Sequence, residues 1–425
     1  MIELDVEYDR PQRAFLVGRT EDRSAEDRTV VSELASLAKT AGYLVSGSLV
    51  LRRYEPAPRY GMGSGKASEI VEAARACEAD EILFDFEISP TQQRNWETLS
   101  EMTCRDRQEV IIQIFAARAM TREAVLQVEL ARLEYALPRL AHTYTALSRQ
   151  RGGRYGTKGA GETQLELDRR AISARIAQIK HELSQVRKER ATQRKRREKV
   201  PVPTCAIVGY TNVGKSSLLN ALTGAGVLSE DKLFATLDPT TRRFTLPTGR
   251  TILMTDTVGF IRNLPHSLVD AFHATLEEAA FADSVLILVD ACDPFMEVQL
   301  KTTLDVLREV GAESRPSLIV INKADKIDEF TRARFRSDYP DMLMISAKTG
   351  EGFDVLAHRL DILLAGDIHS YLLPHQRTDL LAFAHREGSV IVTRYTEEGI
   401  ELTARTSGRL ESVLREFETD ATHTD

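Results

Sequence analysis

The chain has 425 residues, too many for one ordinary hydrophobic core, so roughly two to four domains are expected. Its net charge of −7 argues against a general polyanion binder, and any contact with nucleic acid must come from local basic patches. The 4 cysteines show no C-x-x-C spacing, the first residues lack the apolar core of a signal peptide, and no run approaches the ~20 apolar residues of a membrane span. We therefore expect a monomeric, cytoplasmic protein without disulfide or cysteine–metal chemistry.

Residues 1–120 alternate strand-like and helix-like runs, which predicts a small α/β domain with a mainly parallel sheet. The strand-like runs are Arg13–Val17, Glu81–Phe86 and Val110–Phe115, and the helix-like runs are Glu33–Thr40 and Ala67–Ala76. The segment Gly61-Met-Gly-Ser-Gly-Lys66 is similar to a phosphate-binding loop, but it lacks the full spacing and a clear preceding strand. We interpret it as a turn that opens a helix.

Residues 121–199 contain two stripes of apolar side chains at alternating spacings of three and four residues. The stripes are Leu126, Leu130, Leu133, Leu137 and Leu140, and then Ile172, Ile176, Ile179, Leu183 and Val186. This spacing predicts a long antiparallel helical hairpin, with Pro138 ending or kinking the first helix.

A glycine- and cation-rich segment, RGGRYGTKGAGETQ, joins the two helices. One interpretation is a flexible connection, although loops between paired helices are usually short. The other is a probe for RNA, since glycine permits close approach, Arg and Lys meet phosphates, and Tyr155 can stack on a base. The basic run QVRKERATQRKRREK, from Gln185 to Lys199, also has two interpretations: a solvated helix end or a contact with RNA phosphates.

The central segment carries a complete phosphate-binding loop of the form G-x-x-x-x-G-K-[ST], preceded by an apolar run and followed by a helix-like run. Backbone N–H groups of such a loop surround phosphate oxygens, Lys215 reaches the β- and γ-phosphates, and the Ser216 hydroxyl ligates Mg²⁺. The predicted phosphate-binding residues are Gly209, Tyr210, Thr211, Asn212, Val213, Gly214, Lys215 and Ser216.

Two further segments are predicted to sense the γ-phosphate. The strand-like run from Thr251 ends in D-x-x-G, formed by Asp256, Thr257, Val258 and Gly259. There the aspartate suits the Mg²⁺ shell and the glycine N–H suits the phosphate. The hydroxyl-rich loop Phe234, Ala235, Thr236, Leu237 and Asp238 is expected to order only with GTP. Thr236 is the predicted second Mg²⁺ ligand, with Thr240 and Thr241 as alternatives.

The guanine-reading elements come last. Asn322, Lys323, Ala324 and Asp325 form an N-K-x-D quartet after an apolar run, and Asp325 can accept hydrogen bonds from both N–H groups of the guanine edge. Asn322 is expected to contact the base, and Lys323 to lie over its face or brace the phosphate-binding loop. The loop Ser346, Ala347 and Lys348 is suited to offering backbone N–H groups to the guanine oxygen.

Two residues bear on the rate of hydrolysis. Phe260 follows Gly259 where Ras-like enzymes carry the glutamine that orients the attacking water, which predicts slow intrinsic turnover that needs outside help. This part of the chain resembles the translation-factor-related branch of GTPases, in several members of which an Asn at the position of Asn212 accompanies activation by potassium. The resemblance implies K⁺ as a hypothetical second cofactor beside Mg²⁺. Equal turnover in sodium and potassium buffers would contradict it.

We assign residues 200–366 to this GTPase domain and residues 367–425 to a small α+β module. In the latter, Leu380–His385 and Ser407–Glu416 are helix-like, and Ser389–Thr393 and Ile400–Ala404 are strand-like. The module shows no catalytic constellation and is interpreted as a docking or packing module. The predicted fold is thus α/β and multidomain, with a doubly wound GTPase sheet at its centre.

The combination of motifs resembles the HflX family of ribosome-associated GTPases, and residues of about 200 to 365 resemble the translation-factor-related branch of GTPases. The segments that carry the resemblance are Ser89–Asn95, Leu126–Leu140, Gly159–Glu166, Gly209–Ser216 and Phe234–Asp238. The glycine-rich segment departs from the common form, with an extra residue around Arg154-Tyr155 and Ala160 where proline is usual.

The resemblance implies a GTP hydrolase that docks on the large ribosomal subunit and its RNA, with the glycine-rich segment reaching toward the peptidyl transferase region. It also implies a role in splitting stalled or idle ribosomes and supports Thr236 as a Mg²⁺ ligand. Lys215, Thr236 and Gly259 are the expected catalytic residues. A ribosome-assembly or RNA-modification switch, and a nucleotide-gated RNA-binding scaffold, are the alternatives.

Overall fold

A computed structural model describes residues 10–20, 30–52, 55–140, 160–197, 202–224, 233–234, 237–262, 278–365, 367–387, 389–406 and 408–419. These residues fall into two compact units. Unit 1 is drawn from Met1–Lys188, Glu230–Asp238 and Asn263–His273, and unit 2 from Glu189–Ser229, Pro239–Arg262 and Ala274–Asp425. The boundaries of the four predicted domains stay a prediction. Among the described helices, none has the length and apolar character needed to span a bilayer.

Unit 1 contains a parallel sheet whose order, over the described residues, is β2-β1-β3-β4. The strands are β1 (Arg13–Arg19), β2 (Leu44–Leu51), β3 (Glu81–Phe84) and β4 (Thr103–Asp106). The helices are α1 (Ser32–Thr40), α2 (Ser64–Ala76), α3 (Pro90–Ser100) and α4 (Arg107–Arg118). Parallel strands need crossover connections, and helices supply three of them. The predicted small α/β architecture is confirmed.

The predicted strand Val110–Phe115 is wrong, because these residues lie within helix α4. Asp106 caps this helix by accepting a hydrogen bond from the Glu109 N–H at 3.0 Å. Nearly every residue of the run is buried, and a short continuous apolar run cannot distinguish a buried strand from a buried helix. Strand β2 was missed because Ser46, Gly47 and Ser48 interrupt its apolar pattern.

Helix α3 begins at a capping box, in which Ser89 accepts from the Gln92 N–H and the Gln92 side chain accepts from the Ser89 N–H. The next turn of α3 binds the loop that precedes α2: Asn95 donates to the Arg59 carbonyl at 2.8 Å, and Trp96 donates to the Tyr60 carbonyl at 3.0 Å. That loop leads through Gly61–Lys66 into helix α2, which confirms that this segment is a turn opening a helix.

Two helices follow, α5 (Arg122–Ala136) and α6 (Ala160–Arg197). Leu126, Ile179 and Leu183 form a buried cluster, and Arg175 makes a bidentate ion pair with Glu129 at 2.8 Å. The predicted contact between the two apolar stripes is therefore confirmed. Helix α5 ends just before Pro138, as expected. Residues 151–159 of the glycine-rich segment lie outside the described residues.

We expect Ile179→Ala to destabilise this helix pair by about 2–4 kcal/mol, since removing a fully buried Ile leaves a cavity. Amide hydrogen exchange across α5 measures the loss. Leu167→Ala is the matched control on α6, because Leu167 is 58% exposed and its truncation should cost less than about 0.5 kcal/mol. Equal exchange in the two variants would contradict the packing argument.

Unit 2 contains a mixed sheet whose described strands run in the order β10-β9-β8-β5-β7-β6, parallel except for β6 at one edge. The strands are β5 (Thr204–Gly209), β6 (Thr240–Thr245), β7 (Thr251–Asp256), β8 (Ser284–Asp290), β9 (Ser317–Asn322) and β10 (Leu343–Met344). Its helices are α7 (Lys215–Thr223), α8 (Met296–Glu309), α9 (Glu329–Asp338) and α10 (Phe353–Ala365). The predicted motifs follow the carboxyl ends of β5, β7, β9 and β10, which is where open α/β sheets bind ligands.

The same unit includes an antiparallel sheet with the order β12-β13-β11-β14 over the described residues. Its strands are β11 (Asp367–Leu373), β12 (Ser389–Tyr395), β13 (Ile400–Thr406) and β14 (Glu418–Thr419), with helices α11 (Thr378–Glu387) and α12 (Gly408–Leu414). Tyr371, Ile400 and Leu402 lie in its core. The expected strand pair and both helices are confirmed, β11 and β14 were not predicted, and Ser407 lies outside the described residues.

Candidate nucleotide-binding site

The phosphate-binding loop connects β5 to α7, and its two motif glycines occupy backbone conformations that other residues rarely adopt. Gly209 has a φ of 150°, and a Cβ there would lie 2.3 Å from the Leu288 carbonyl oxygen. Gly214 has a φ of 97°, and a Cβ would lie 2.4 Å from Nδ2 of Asn322. Both positions therefore require glycine.

Lys215 opens α7 and is buried. Its Nζ donates to the Tyr210 carbonyl at 2.8 Å and to the Gly209 carbonyl at 3.2 Å. Burial lowers the pKa of Lys215 to about 8, while the nearby Asp256 carboxylate opposes the shift. An ammonium group held this way, within the curve of the loop, is suited to binding an anion.

Ser216 and Asp256 meet at the metal end of the site. The Ser216 hydroxyl donates to Oδ2 of Asp256 at 2.6 Å, and Asp256 is fully buried at the end of β7. A hydroxyl and a carboxylate are hard oxygen ligands of the kind Mg²⁺ prefers, so these residues fit that ion. Of the candidate second ligands, Thr236 lies outside the described residues, and Thr241 lies on β6 with its hydroxyl 3.0 Å from that of Thr255.

The D-x-x-G segment packs against the phosphate-binding loop. Thr257 is buried and its hydroxyl donates to the Ile207 carbonyl at 2.7 Å, and Val258 is buried beside it. Phe260 is 5% exposed and is bonded by its backbone to the loop, donating to Gly209 O at 3.1 Å and accepting from the Thr211 N–H at 2.8 Å. A buried phenyl ring cannot orient water, and the slow intrinsic turnover expected from it stays a prediction.

Asn322 and Lys323 brace the loop. Asn322 is 2% exposed; its Nδ2 donates to the Val213 carbonyl at 2.7 Å and its Oδ1 accepts from the Ala347 N–H at 2.9 Å. Lys323 donates to the Asn212 carbonyl at 2.8 Å. The side chain of Asn322 thus links the phosphate-binding loop to the Ser346–Lys348 loop, and its contact with the base stays a prediction.

Asp325 is the base-reading candidate. Its Oδ1 accepts from the Ser346 hydroxyl at 2.6 Å, and this bond holds the pKa of the carboxyl below its usual value. Ser346 also accepts from the Thr349 N–H, which shapes the loop, and the buried Ala324 is fixed by donating to Ile345 O at 3.0 Å. The carboxylate is thus ionised and oriented, as an acceptor for two guanine N–H groups must be.

One residue of this region was missed by sequence reasoning. Asp290 ends β8 and forms an ion pair with Lys323 at 2.6 Å, which holds the lysine in place. Its position after an apolar strand, in parallel with the ends of β5 and β9, is a signal that would have found it.

The hydroxyl-rich segment is placed differently from the other predicted residues, since its described part belongs to unit 1. Phe234 is buried with its ring 4.5 Å from that of Phe115, and Asp238 accepts hydrogen bonds from the Met120 and Thr121 N–H groups and the Thr121 hydroxyl at the start of α5. Leu237 is also buried. Ala235, like Thr236, lies outside the described residues.

Comparison with known proteins agrees with this geometry. The chain is 43% identical over 420 residues to GTPase HflX of Akkermansia muciniphila, covering 95% of this chain and 96% of that protein. The chain belongs to the HflX family of GTPases. The HflX proteins of Treponema denticola and Escherichia coli are 48% and 43% identical over 78% and 87% of this chain, and 87% of each of theirs.

Three family models match successive parts of this HflX-family chain. They are described as GTP-binding GTPase N-terminal (residues 28–116), GTP-binding GTPase Middle Region (118–197) and 50S ribosome-binding GTPase (204–323). The protein is a GTP-binding P-loop enzyme that hydrolyses GTP, and GTPases of this kind generally use Mg²⁺. The resemblance drawn from its sequence motifs is confirmed.

Proposed function

We propose that this HflX-family GTPase binds the large ribosomal subunit and couples its GTP state to the dissociation of stalled or idle ribosomes. The observation that carries the proposal is Phe260, which is buried and bonded to the phosphate-binding loop where a water-orienting side chain is needed. Since this position supplies no such group, rapid hydrolysis requires an activating partner. The description of the family model over residues 204–323, 50S ribosome-binding GTPase, names the partner class.

In this proposal the residues divide into three roles. Lys215 and the backbone of the phosphate-binding loop hold the phosphates, while Ser216, Asp256 and Thr236 would hold Mg²⁺, which neutralises charge on the β- and γ-phosphates when bound. Gly259 offers its N–H to the γ-phosphate. Asp325 selects guanine, and Asn322 with Lys323 keeps the base and phosphate ends of the site in register.

Docking belongs to unit 1. Helices α5 and α6 are held together by a buried cluster that includes Ile179 and by the Arg175–Glu129 ion pair. In this proposal, the packed helix pair carries the glycine-rich segment that joins the two helices. Arg and Lys in that segment suit phosphate contacts, and its glycines permit close approach of the backbone to RNA. The proposed target is ribosomal RNA in the peptidyl transferase region.

We expect free protein in potassium buffer to hydrolyse GTP slowly and purified large subunits to raise the rate about 10- to 1,000-fold, the range that externally supplied catalytic groups provide. The measurement is phosphate release with and without large subunits. Small subunits are the control. Absence of stimulation by large subunits would point to the assembly or scaffold alternatives.

Deleting residues 152–161 separates docking from nucleotide binding. The deletion is expected to leave GTP affinity unchanged and to abolish ribosome splitting. Splitting at the normal rate would contradict the role of the segment.

GTP turnover of the unmodified protein in sodium and in potassium buffer tests the hypothesis that Asn212 accompanies activation by potassium.

A further inference from the structure

Thr211, in the phosphate-binding loop, has a buried hydroxyl without a protein partner. Its side chain is 7% exposed, and its Oγ1 is a buried atom with no hydrogen bond to any residue in the described part of the chain. Thr257, in the same unit, is also buried, but its hydroxyl donates to the Ile207 carbonyl at 2.7 Å. Of these two buried threonine hydroxyls, that of Thr257 therefore has a protein acceptor and that of Thr211 has none among the described residues.

An unpaired buried hydroxyl has a cost. Leaving such a group without a partner costs about 1–3 kcal/mol, and native proteins leave few of them. A valine of nearly the same shape would avoid this cost. A hydroxyl at this position is therefore explained by a partner that arrives with the substrate.

The surroundings of Thr211 identify that partner. A Cβ on Gly259 would lie 2.8 Å from each of three atoms: Nζ of Lys215, and Cα and Cγ2 of Thr211. The Thr211 side chain therefore lies beside the ammonium group and the glycine that are assigned to the γ-phosphate. When GTP is bound, the groups that bring oxygen acceptors to the Thr211 hydroxyl at this point are its phosphates.

The backbone holds Thr211 in place. Its N–H donates to the Phe260 carbonyl at 2.8 Å, and the carbonyl of the preceding Tyr210 accepts from Lys215 at 2.8 Å. The hydroxyl can rotate, but the residue cannot move away from the site without breaking these bonds. Preorganised donors of this kind contribute most to catalysis when charge develops next to them.

We propose that the Thr211 hydroxyl donates a hydrogen bond to the γ-phosphate of bound GTP and is a catalytic residue of this enzyme. Phosphoryl transfer spreads negative charge over the oxygens of the transferred group, so the bond strengthens in the transition state. Thr211 thereby stabilises charge on the transferred group, whereas the orientation of water that Phe260 cannot supply still requires another group. The inference rests on the GTP site and not on the ribosome proposal.

The test compares Thr211→Val, which removes the hydroxyl at constant shape, with Thr211→Ser, which keeps it. In single-turnover hydrolysis by free protein, T211V is expected to be about 10- to 100-fold slower and T211S within about threefold of the native rate. Fluorescent nucleotide titration should show that T211V loses about 5- to 10-fold in GTP affinity, the value of one hydrogen bond, with GDP affinity unchanged. Because ribosomes are absent, failure here is separate from failure of the proposed function.

Three outcomes would overturn the proposal. T211V could hydrolyse GTP at the native rate; T211V could lose GTP and GDP affinity equally, which indicates packing alone; or T211S could be as slow as T211V. If T211V does not fold, Thr211→Ala replaces it in the comparison with T211S, since alanine and serine both remove the methyl group and only serine keeps the hydroxyl.

Discussion

Lys215→Ala is expected to reduce GTP and GDP affinity by at least about 100-fold. The buried ammonium group is the charge that offsets the β- and γ-phosphates, and hydrogen bonds to charged groups in a water-poor site are worth about 1.5–3 kcal/mol each. Its burial already lowers the pKa of Lys215 to about 8, so the environment disfavours the cation until an anion arrives. The measurement is fluorescent nucleotide titration near pH 7, where the lysine is protonated.

The same substitution should leave the nucleotide-free protein folded. The substitution removes two hydrogen bonds, to Gly209 and Tyr210, but it also removes the free-energy cost of burying a charged group. These two effects on the stability of the folded state largely cancel. The melting temperature without nucleotide is thus expected to change little. Lys301→Ala, at an exposed position on α8, is the control for a general effect of lost charge. Tight nucleotide binding by K215A would refute the phosphate-binding assignment.

Asp325→Asn is expected to lower GTP affinity by at least about 100-fold, because a site built to hydrogen-bond a ligand's N–H groups discriminates strongly against a mismatch. The ionised carboxylate accepts from two guanine N–H groups, whereas an amide presents one acceptor and one donor. Xanthine carries a carbonyl where guanine carries its amino group, so the amide matches it. D325N should therefore gain affinity for xanthosine triphosphate as it loses GTP.

Competition titrations with both triphosphates measure this exchange. Asp338→Asn, an exposed carboxylate on α9, is the matched control and should keep the native preference for GTP. If D325N still preferred GTP, the base would be recognised by other groups, and the assignment of Asp325 would fail.

The nucleotide site was largely predictable from sequence because its elements are local. A phosphate-binding loop needs glycines, a lysine and a hydroxyl at fixed spacing between a strand and a helix, and all of these are read along a few consecutive residues. Gly209 and Gly214 illustrate the reason, since their φ angles admit no other residue. The D-x-x-G and N-K-x-D segments follow apolar strands, and the carboxyl ends of parallel strands lie at the same edge of a sheet, so their convergence also followed from the sequence.

Other features depended on contacts that spacing does not encode. Val110–Phe115 became a helix because tertiary burial covers nearly all of its side chains and Asp106 caps its start, so the run showed no period at all. Strand β2 was hidden because Ser46, Gly47 and Ser48 interrupt its apolar pattern, and its pairing with β1 is visible only in the folded structure.

Within the site, the sequence determined which chemical groups are present, and the tertiary structure decided which are still available to a ligand. Asn322 was assigned to the base from its motif, and the structure adds that its amide is bonded to Val213 and Ala347, which no spacing in the sequence indicates. Thr211 drew no separate attention, yet its hydroxyl is the one that packing leaves without a protein partner beside Lys215, as far as the described residues extend. Hydrogen-bond partners come from elements far apart in the chain, which is why only the folded structure could show which side chains of the site are bonded to protein and which are not.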